Sequence, residues 1–361
     1  MNNQLKTRQI CLFIIAFFPI VKIFIMPSFI AQSANEDLWI SALINILLDA
    51  VTLFFIVWTY KKTKQSFFEI LESVFGKIGA KIIAVLYLIV FMLKVIVPLN
   101  EQKDYVELTL YTLMPSKYYF LPMFAVAFFL CCKKLRVLGR TSDVLWFFTI
   151  LGMGLLIFLA LPNSDFGAIL PVGANGFSNI IKGSYKTLLW HGDVIYLLFF
   201  IGQFKFNKKD GLKIFLSFVV SSVIIIIFLI IFYAVFTSIA FRQRFALTEI
   251  SKYSAVINNI GRFDYLGIVL ILFSNVFALS LPLFFSCRIL NYVCGFSRQW
   301  IAPCIVVFTQ FAIMIIFKQF YASIENLILS YGGILFMLFA NVFPAILPFI
   351  CKKELKNEND A

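Results

Sequence analysis

Charge is scarce in this sequence, and so is most of what aqueous catalysis uses. Only 14% of its 361 residues are charged, against about a quarter in an ordinary soluble domain. It has one histidine, which argues against a histidine-based metal centre. Its seven cysteines (Cys11, Cys131, Cys132, Cys287, Cys294, Cys304 and Cys351) contain no C-x-x-C pair, so neither a zinc ribbon nor a dithiol redox site is indicated, and they read as small buried hydrophobes. There is no Gly-rich phosphate loop of the Walker type, no nucleophile elbow and no set of carboxylates at metal-ligand spacing. A Gly/Ser-rich linker is also missing, so one domain is expected. These absences predict a protein that is not an enzyme and uses no cofactor or metal.

What fills the space is apolar. The chain is 61% hydrophobic and holds 45 phenylalanines, more than one globule can hide from water. Ile214 to Ala240 runs without a single charge, and about 20 apolar residues suffice to cross a bilayer as a helix. Apolar runs of this kind predict ten spans, at about 10–31, 38–59, 80–100, 118–132, 143–161, 186–204, 212–240, 264–287, 301–317 and 327–350. A lone segment in lipid must satisfy its own backbone hydrogen bonds, so these spans are expected to be helices. Barrel strands would alternate polar and apolar residues, and these do not. The first run, Ile10 to Ile30, is too long for a signal-peptide core and is interrupted by Pro19, Lys22 and Pro27, so it is read as a retained helix.

The formal net charge of +13 does not indicate nucleic acid, because the basic residues sit in short clusters between apolar runs. With the N-terminus in the cytoplasm, the inner segments hold 20 Lys and Arg and the outer loops 9. That asymmetry predicts a multi-pass inner-membrane protein with both termini cytoplasmic, residues 351–361 forming a cytoplasmic tail. Two outer stretches stand out. Residues 162–185 contain Pro162, Gly167, Pro171, Gly173, Gly176 and Gly183, and read as an ordered loop or short re-entrant piece. Residues 241–263 place Phe245, Leu247, Ile250, Tyr253, Ile257 and Ile260 at near-helical spacing, which predicts an amphipathic helix on the outer surface.

An ionisable side chain at bilayer depth costs about 2.5–3.5 kcal/mol or more unless it faces a partner or water. Lys22 in span 1, Asp49 in span 2, Lys94 in span 3 and Asp193 in span 6 are such residues, with His191 beside the last. Their signs balance, so they either pair and fix helix register or surround a central polar cavity. Span 1 carries Pro19 and Pro27 around Lys22, and span 6 opens Trp190-His191-Gly192-Asp193. These two spans begin the halves of a five-plus-five chain, and interruptions at corresponding positions of two halves point to a transporter-type binding site. Freed backbone groups and half-helix ends there can hold the ammonium and carboxylate of a small zwitterion. The predicted ligand-binding residues are therefore Lys22, Ile23, Phe24, Ile25, Pro27, Lys94, His191, Gly192 and Asp193, between spans 1, 3 and 6. Asn45, Gln203, Ser274, Asn275, Ser280 and Asn341 are read as helix-packing hydrogen bonds.

Several short motifs carry a family resemblance. Asp37-Leu38-Trp39-Ile40-Ser41 is similar to an outer Asp-x-Trp turn leading into span 2, and Leu135-Arg136-Val137-Leu138-Gly139-Arg140 to an inner loop before span 5. Leu170-Pro171 with Gly176, Ile180 and Gly183 resembles a Pro/Gly loop before span 6, Gly192-Asp193 a Gly-Glu pair, and Arg262-Phe263-Asp264 an Arg-x-acid step into span 8. In this order and spacing they resemble the B-subunit family of spore germinant receptors, a branch of the amino acid–polyamine–organocation permease superfamily. The resemblance implies an all-α membrane fold with a five-plus-five inverted repeat and broken helices 1 and 6. It implies a sensor that binds a nutrient amino acid and signals to a larger membrane subunit and a lipoprotein. The chain departs from the family at Lys22, near a Gly-containing break, and at Leu135, where the family usually has Gly nearby. A lysine at the first of these can mimic a bound cation and hold one state. Two other readings stay open: an amino acid or polyamine transporter coupled to protons through Asp193 or Asp49, and a scaffold or flippase of the envelope.

Overall fold

The computed structural model describes residues 5–109, 116–204, 206–207, 209–252 and 264–351. The chain begins with α1 (Thr7–Phe17), a 3₁₀ turn at Ile20–Ile23, α2 (Met26–Ala34), α3 (Leu38–Lys62), α4 (Phe67–Thr109), α5 (Ser116–Cys131) and α6 (Leu135–Ala160). After two 3₁₀ turns come α7 (Phe177–Lys186), a 3₁₀ segment at Asp193–Phe200, α8 (Asp210–Phe236), α9 (Ala246–Lys252) and α10 (Asp264–Cys294). The chain closes with α11 (Ile301–Ile316), α12 (Tyr321–Met337), a π-helical turn at Leu338–Val342 and α13 (Phe343–Ile350). No β-strand occurs among the described residues, and one isolated parallel bridge joins Leu5 to Phe204.

Six helical stretches among the described residues are long and apolar enough to cross a membrane: Met26–Lys62, Phe67–Glu107, Leu135–Asn163, Asp210–Arg242, Ile271–Cys294 and Ile301–Ile350. Tyr118–Cys131 is a shorter apolar helix. The bundle is built around α10, which packs on α4, α5 and α6, while α1 lies against α6 and α8, and α3 against α7, α8 and α13. Large apolar side chains such as Phe54, Ile78, Phe129, Phe158 and Phe308 point outward, as expected where lipid tails replace water. Small polar groups turn inward and bridge helices: Thr149 Oγ1 donates to the carbonyl of Ala16 at 3.1 Å and lies 2.9 Å from Ser274 Oγ.

The expected spans at 10–31 and 186–204 are broken, as the family resemblance implies for helices 1 and 6, at 18–25 and at 187–192. Three other features differ from the sequence expectation. The stretch 162–185 ends in a regular helix, α7, and the expected span at 186–204 holds a turn and a 3₁₀ segment in place of an α-helix. Helix α4 starts well before residue 80, because Gly76 (φ 71°, ψ 171°) lets a helical piece turn into the long segment behind it. In the stretch 241–263, Phe245, Leu247 and Ile250 are buried against the protein itself; Tyr253, Ile257 and Ile260 lie outside the described residues.

The motif residues at the start of α3 hold α7 in place. The Asp37 carboxylate accepts the N–H groups of Gly173 at 2.7 Å and Asn175 at 3.2 Å. Ser41 Oγ donates to the carbonyl of Ile180 at 2.9 Å, and Asn45 Nδ2 to that of Ser184 at 2.9 Å. The approach is close because position 183 is glycine: a Cβ there would meet Ser41 Oγ at 2.8 Å and Ala34 Cβ at 3.4 Å. Overpacking of such a contact costs about 1–3 kcal/mol. Gly183→Val is therefore expected to lower the thermal midpoint of the protein in detergent; a midpoint equal to that of the parent would show that α7 does not pack on α3 through this glycine.

Candidate functional site

Proline and glycine create the site by ending helices inside the bundle. Pro19 begins a 3₁₀ turn at Ile20–Ile23, Phe24 then leaves helical geometry (φ −80°, ψ −81°), and α2 restarts with Pro27 in its first turn, where a missing N–H does no harm. The second break centres on Gly192, in the left-handed region (φ 75°, ψ 17°). That conformation favours glycine, and here glycine is needed twice over, since a Cβ would lie 2.7 Å from Ala340 Cβ.

Charges from three elements converge on the breaks. The Lys22 ammonium pairs directly with the Asp193 carboxylate and donates to the carbonyl of Phe18 at 2.8 Å, a group released by the first interruption. The Lys94 ammonium, from α4, lies 3.4 Å from the other Asp193 oxygen. It also donates to the carbonyls of Leu189 at 2.8 Å and His191 at 2.5 Å, which the second interruption frees. Lys22, Lys94 and Asp193 are exposed by only 3%, 7% and 7%, so each depends on its partners for what water would have supplied.

A second polar centre sits on the far side of Gly192. Asp49, from α3, accepts the N–H of Gly192 on one oxygen and Asn341 Nδ2 on the other, both at 3.0 Å. Asn341 also donates to Thr52 Oγ1 at 3.0 Å. It lies in the π-helical turn between α12 and α13, a departure from α-geometry that frequently marks functional sites. His191 Nδ1 stands 3.8 Å from Asp49, beyond hydrogen-bond reach.

Beside the Lys94–Asp193 contact is a cavity of about 20 Å³, room for about one water molecule. Its polar wall is Lys94 and Asp193, and its apolar walls include Phe18, Trp190, Tyr196 and Leu279. Of the residues expected at the site, Lys22, Lys94, His191, Gly192 and Asp193 come together around the breaks. Phe24 lines a smaller neighbouring void, while Ile23, Ile25 and Pro27 are buried without lining either one.

Sequence reasoning missed three contributors. Glu101, one residue past the expected end of the span at 80–100, is buried, accepts Trp190 Nε1 at 3.1 and 3.3 Å, and borders the smaller void. Its signal was its spacing: Lys94, Pro98 and Glu101 recur at i, i+4 and i+7 on one face of α4. Asn341 carried no such signal, because its partner Asp49 is 292 residues away. The α10 wall, Ala278 to Pro282, is apolar and indistinguishable in sequence from any other core stretch. Among the described residues no group of three or more His, Cys, Asp or Glu side chains is arranged to hold a metal ion.

The break at Gly192 yields a direct test. Gly192→Ala meets both the left-handed backbone, worth about 1–2 kcal/mol, and the methyl of Ala340. Ala340→Gly in the same chain is expected to restore part of the lost thermal stability, the steric part, and not the rest. Equal midpoints for Gly192→Ala and the double variant would show that the two residues do not touch.

Comparison with known proteins bears on this geometry at two levels. Crystal structures of three variants of a manganese transporter from Eremococcus coleocola superpose on this chain with TM-scores of 0.58 to 0.59, at 12% identity, covering 95% of this chain and 77% of theirs. At that identity the likeness is one of fold, a transporter-like membrane bundle. No curated protein matches the sequence. The family model for spore germination proteins, named for a spore permease, matches residues 4–327. A permease-type bundle with paired charges at two helix breaks, matched by that model over nearly its whole length, belongs to the spore germination protein family.

Proposed function

We propose that this chain is the membrane subunit of a nutrient germinant receptor, which binds a small amino acid-like ligand at the two breaks and triggers spore germination with partner subunits. The observation that carries this reading is the buried Lys22–Asp193–Lys94 cluster beside the cavity. It offers a carboxylate for a ligand's ammonium and an ammonium for its carboxylate, within apolar walls. The cavity has room for about one water, so a small amino acid enters only as Lys22 moves off Asp193. A zwitterion makes that exchange possible, because it brings one charge for each partner it separates. The ligand-bound and ligand-free arrangements of the first break then differ, and only such a difference in binding can drive a switch.

The finer architecture belongs to the same reading. Ten spans in a five-plus-five inverted repeat, both termini in the cytoplasm and a location in the spore inner membrane are part of the proposal, supported by the apolar runs, the basic-residue asymmetry and the family resemblance. A larger membrane subunit and a lipoprotein are the partners the family resemblance implies. Ile23, Phe24, Ile25 and Pro27 form the backbone hinge that Lys22 rides on. A second reading, a proton-coupled amino acid or polyamine transporter, is favoured by the likeness of the fold to a transporter.

Deleting the gene and scoring germination of purified spores against single amino acids separates the two. Selective loss of the response to one or a few nutrients is expected of a receptor subunit. An unchanged profile in a strain without a second copy, with solute uptake by the protein in liposomes, would favour the transporter. Asp193→Ala is expected to abolish the nutrient response while the protein still reaches the membrane in normal amount. A normal response in such spores would remove Asp193 from the ligand site.

A further inference from the structure

His191 is the single histidine of the chain. Its side chain is 2% exposed and neither ring nitrogen has a hydrogen-bond partner. Leaving buried polar atoms unpaired costs about 1–3 kcal/mol, and every other ionisable group at the breaks is paired. The ring nonetheless faces a carboxylate: Nδ1 is 3.8 Å from Asp49. A neutral imidazole gains little at that distance. A protonated one gains a charge-assisted hydrogen bond by closing about 1 Å.

The backbone makes such a closure consequential. The Asp49 oxygen nearest His191 is the one that accepts the N–H of Gly192, the left-handed residue of the break. The carbonyl of His191 itself holds the Lys94 ammonium. A ring that moves onto Asp49 therefore competes with the Gly192 N–H and displaces a carbonyl on which Lys94 rests. The charged groups facing His191 are Asp49 from α3, Lys22 from the first break, and Asp193 from the 3₁₀ segment behind it. Lys94 from α4 reaches its carbonyl, and the π-helical turn contributes the neutral Asn341 through Asp49.

We propose that Asp49 and His191 form a proton-binding site buried beside the Gly192 break, and that its occupancy sets the position of Lys94. The proton comes from solvent and resides on the imidazole, shared with the Asp49 carboxylate. Binding it places one more positive charge near the cavity, which favours a ligand group that is anionic. The effect on ligand binding rests on the ligand site proposed above; the proton site does not.

A lone histidine makes the test direct. The full-length protein, labelled with ring-¹⁵N histidine, purified through a histidine-free tag and placed in lipid nanodiscs, gives one imidazole resonance pair. That signal is expected to change with pH. Asp49→Asn removes the opposite charge and is expected to move the midpoint down by about one pH unit or more, a tenfold or greater loss of proton affinity. Asn341→Ala frees one donor from the same carboxylate and is expected to move it up. A signal that does not change with pH, or a midpoint that neither variant moves, overturns the site; if Asp49→Asn fails to insert, the Asn341→Ala midpoint decides alone. Lys94→Met is expected to move the midpoint upward, and an unmoved midpoint overturns the coupling. No amino acid is present in these titrations, so an unchanged germination profile in the deletion strain while His191 titrates as expected would sink the receptor reading and leave the proton site standing.

Discussion

Two ammonium groups and one carboxylate lie together where neither water nor ions can reach them easily, and the arrangement of the breaks follows from that constraint. Lys22, Asp193 and Lys94 are each tolerable only because the others are there. Removing one partner of a buried pair typically costs about 3–5 kcal/mol, since it strands the remaining charge. One carboxylate cannot satisfy two ammonium groups alone. The remaining donors go to the carbonyls of Phe18, Leu189 and His191, which continuous helices would have kept for themselves. The helices are broken where the charges need acceptors, and the charges sit where the breaks supply them.

The same economy appears on the other face of Gly192. A left-handed residue leaves its N–H pointing away from the helical ladder, and Asp49 takes it. Asn341 reaches that carboxylate from a π-helical turn, whose neighbour Ala340 is small enough to let the Gly192 backbone pass. Three distant parts of the chain, around residues 49, 192 and 341, thus meet at one backbone distortion. The next carbonyl along the backbone, that of His191, accepts from Lys94, so the distortion and the charge cluster share one stretch of chain.

Around this centre the bundle is ordinary membrane-protein packing. Glycine at 183 lets α7 approach α3, Asp37 fixes the loop before it, and small polar side chains bridge neighbouring helices. The N-terminal segment is tied down as well: the N–H of Leu5 meets the carbonyl of Gln203 at 3.2 Å, Thr7 Oγ1 donates to Asp210 at 2.8 Å, and Gln9 Nε2 to Asp143 at 2.9 Å. The element carrying the first break is thereby held at the end of the segment carrying the second.

Much of this was legible in the sequence because lipid imposes one rule on every residue it touches. Long apolar runs had to be helices, the few ionisable residues inside them had to find each other, and Pro19, Pro27 and Gly192 marked where helices stop. The motif residue Asp37 likewise marked a turn into α3, whereas Gly183, expected in a loop, was placed in a close helix contact with Ser41 by the fold. Which charge meets which was decided in three dimensions: the sequence allowed Asp49 or Asp193 as partner to either lysine, and the fold gave both lysines to Asp193 and the break's N–H to Asp49. Glu101, one residue past the expected span, is buried because α4 continues through Pro98. Ile23 ends the 3₁₀ turn, Ile25 follows the break and Pro27 sits in the first turn of α2, so which way each faces was set by the packing of the break and not by one α-helical register. Local physics fixes where a helix can form or fail; the facing of side chains across 100 or more residues depends on packing that no local pattern encodes.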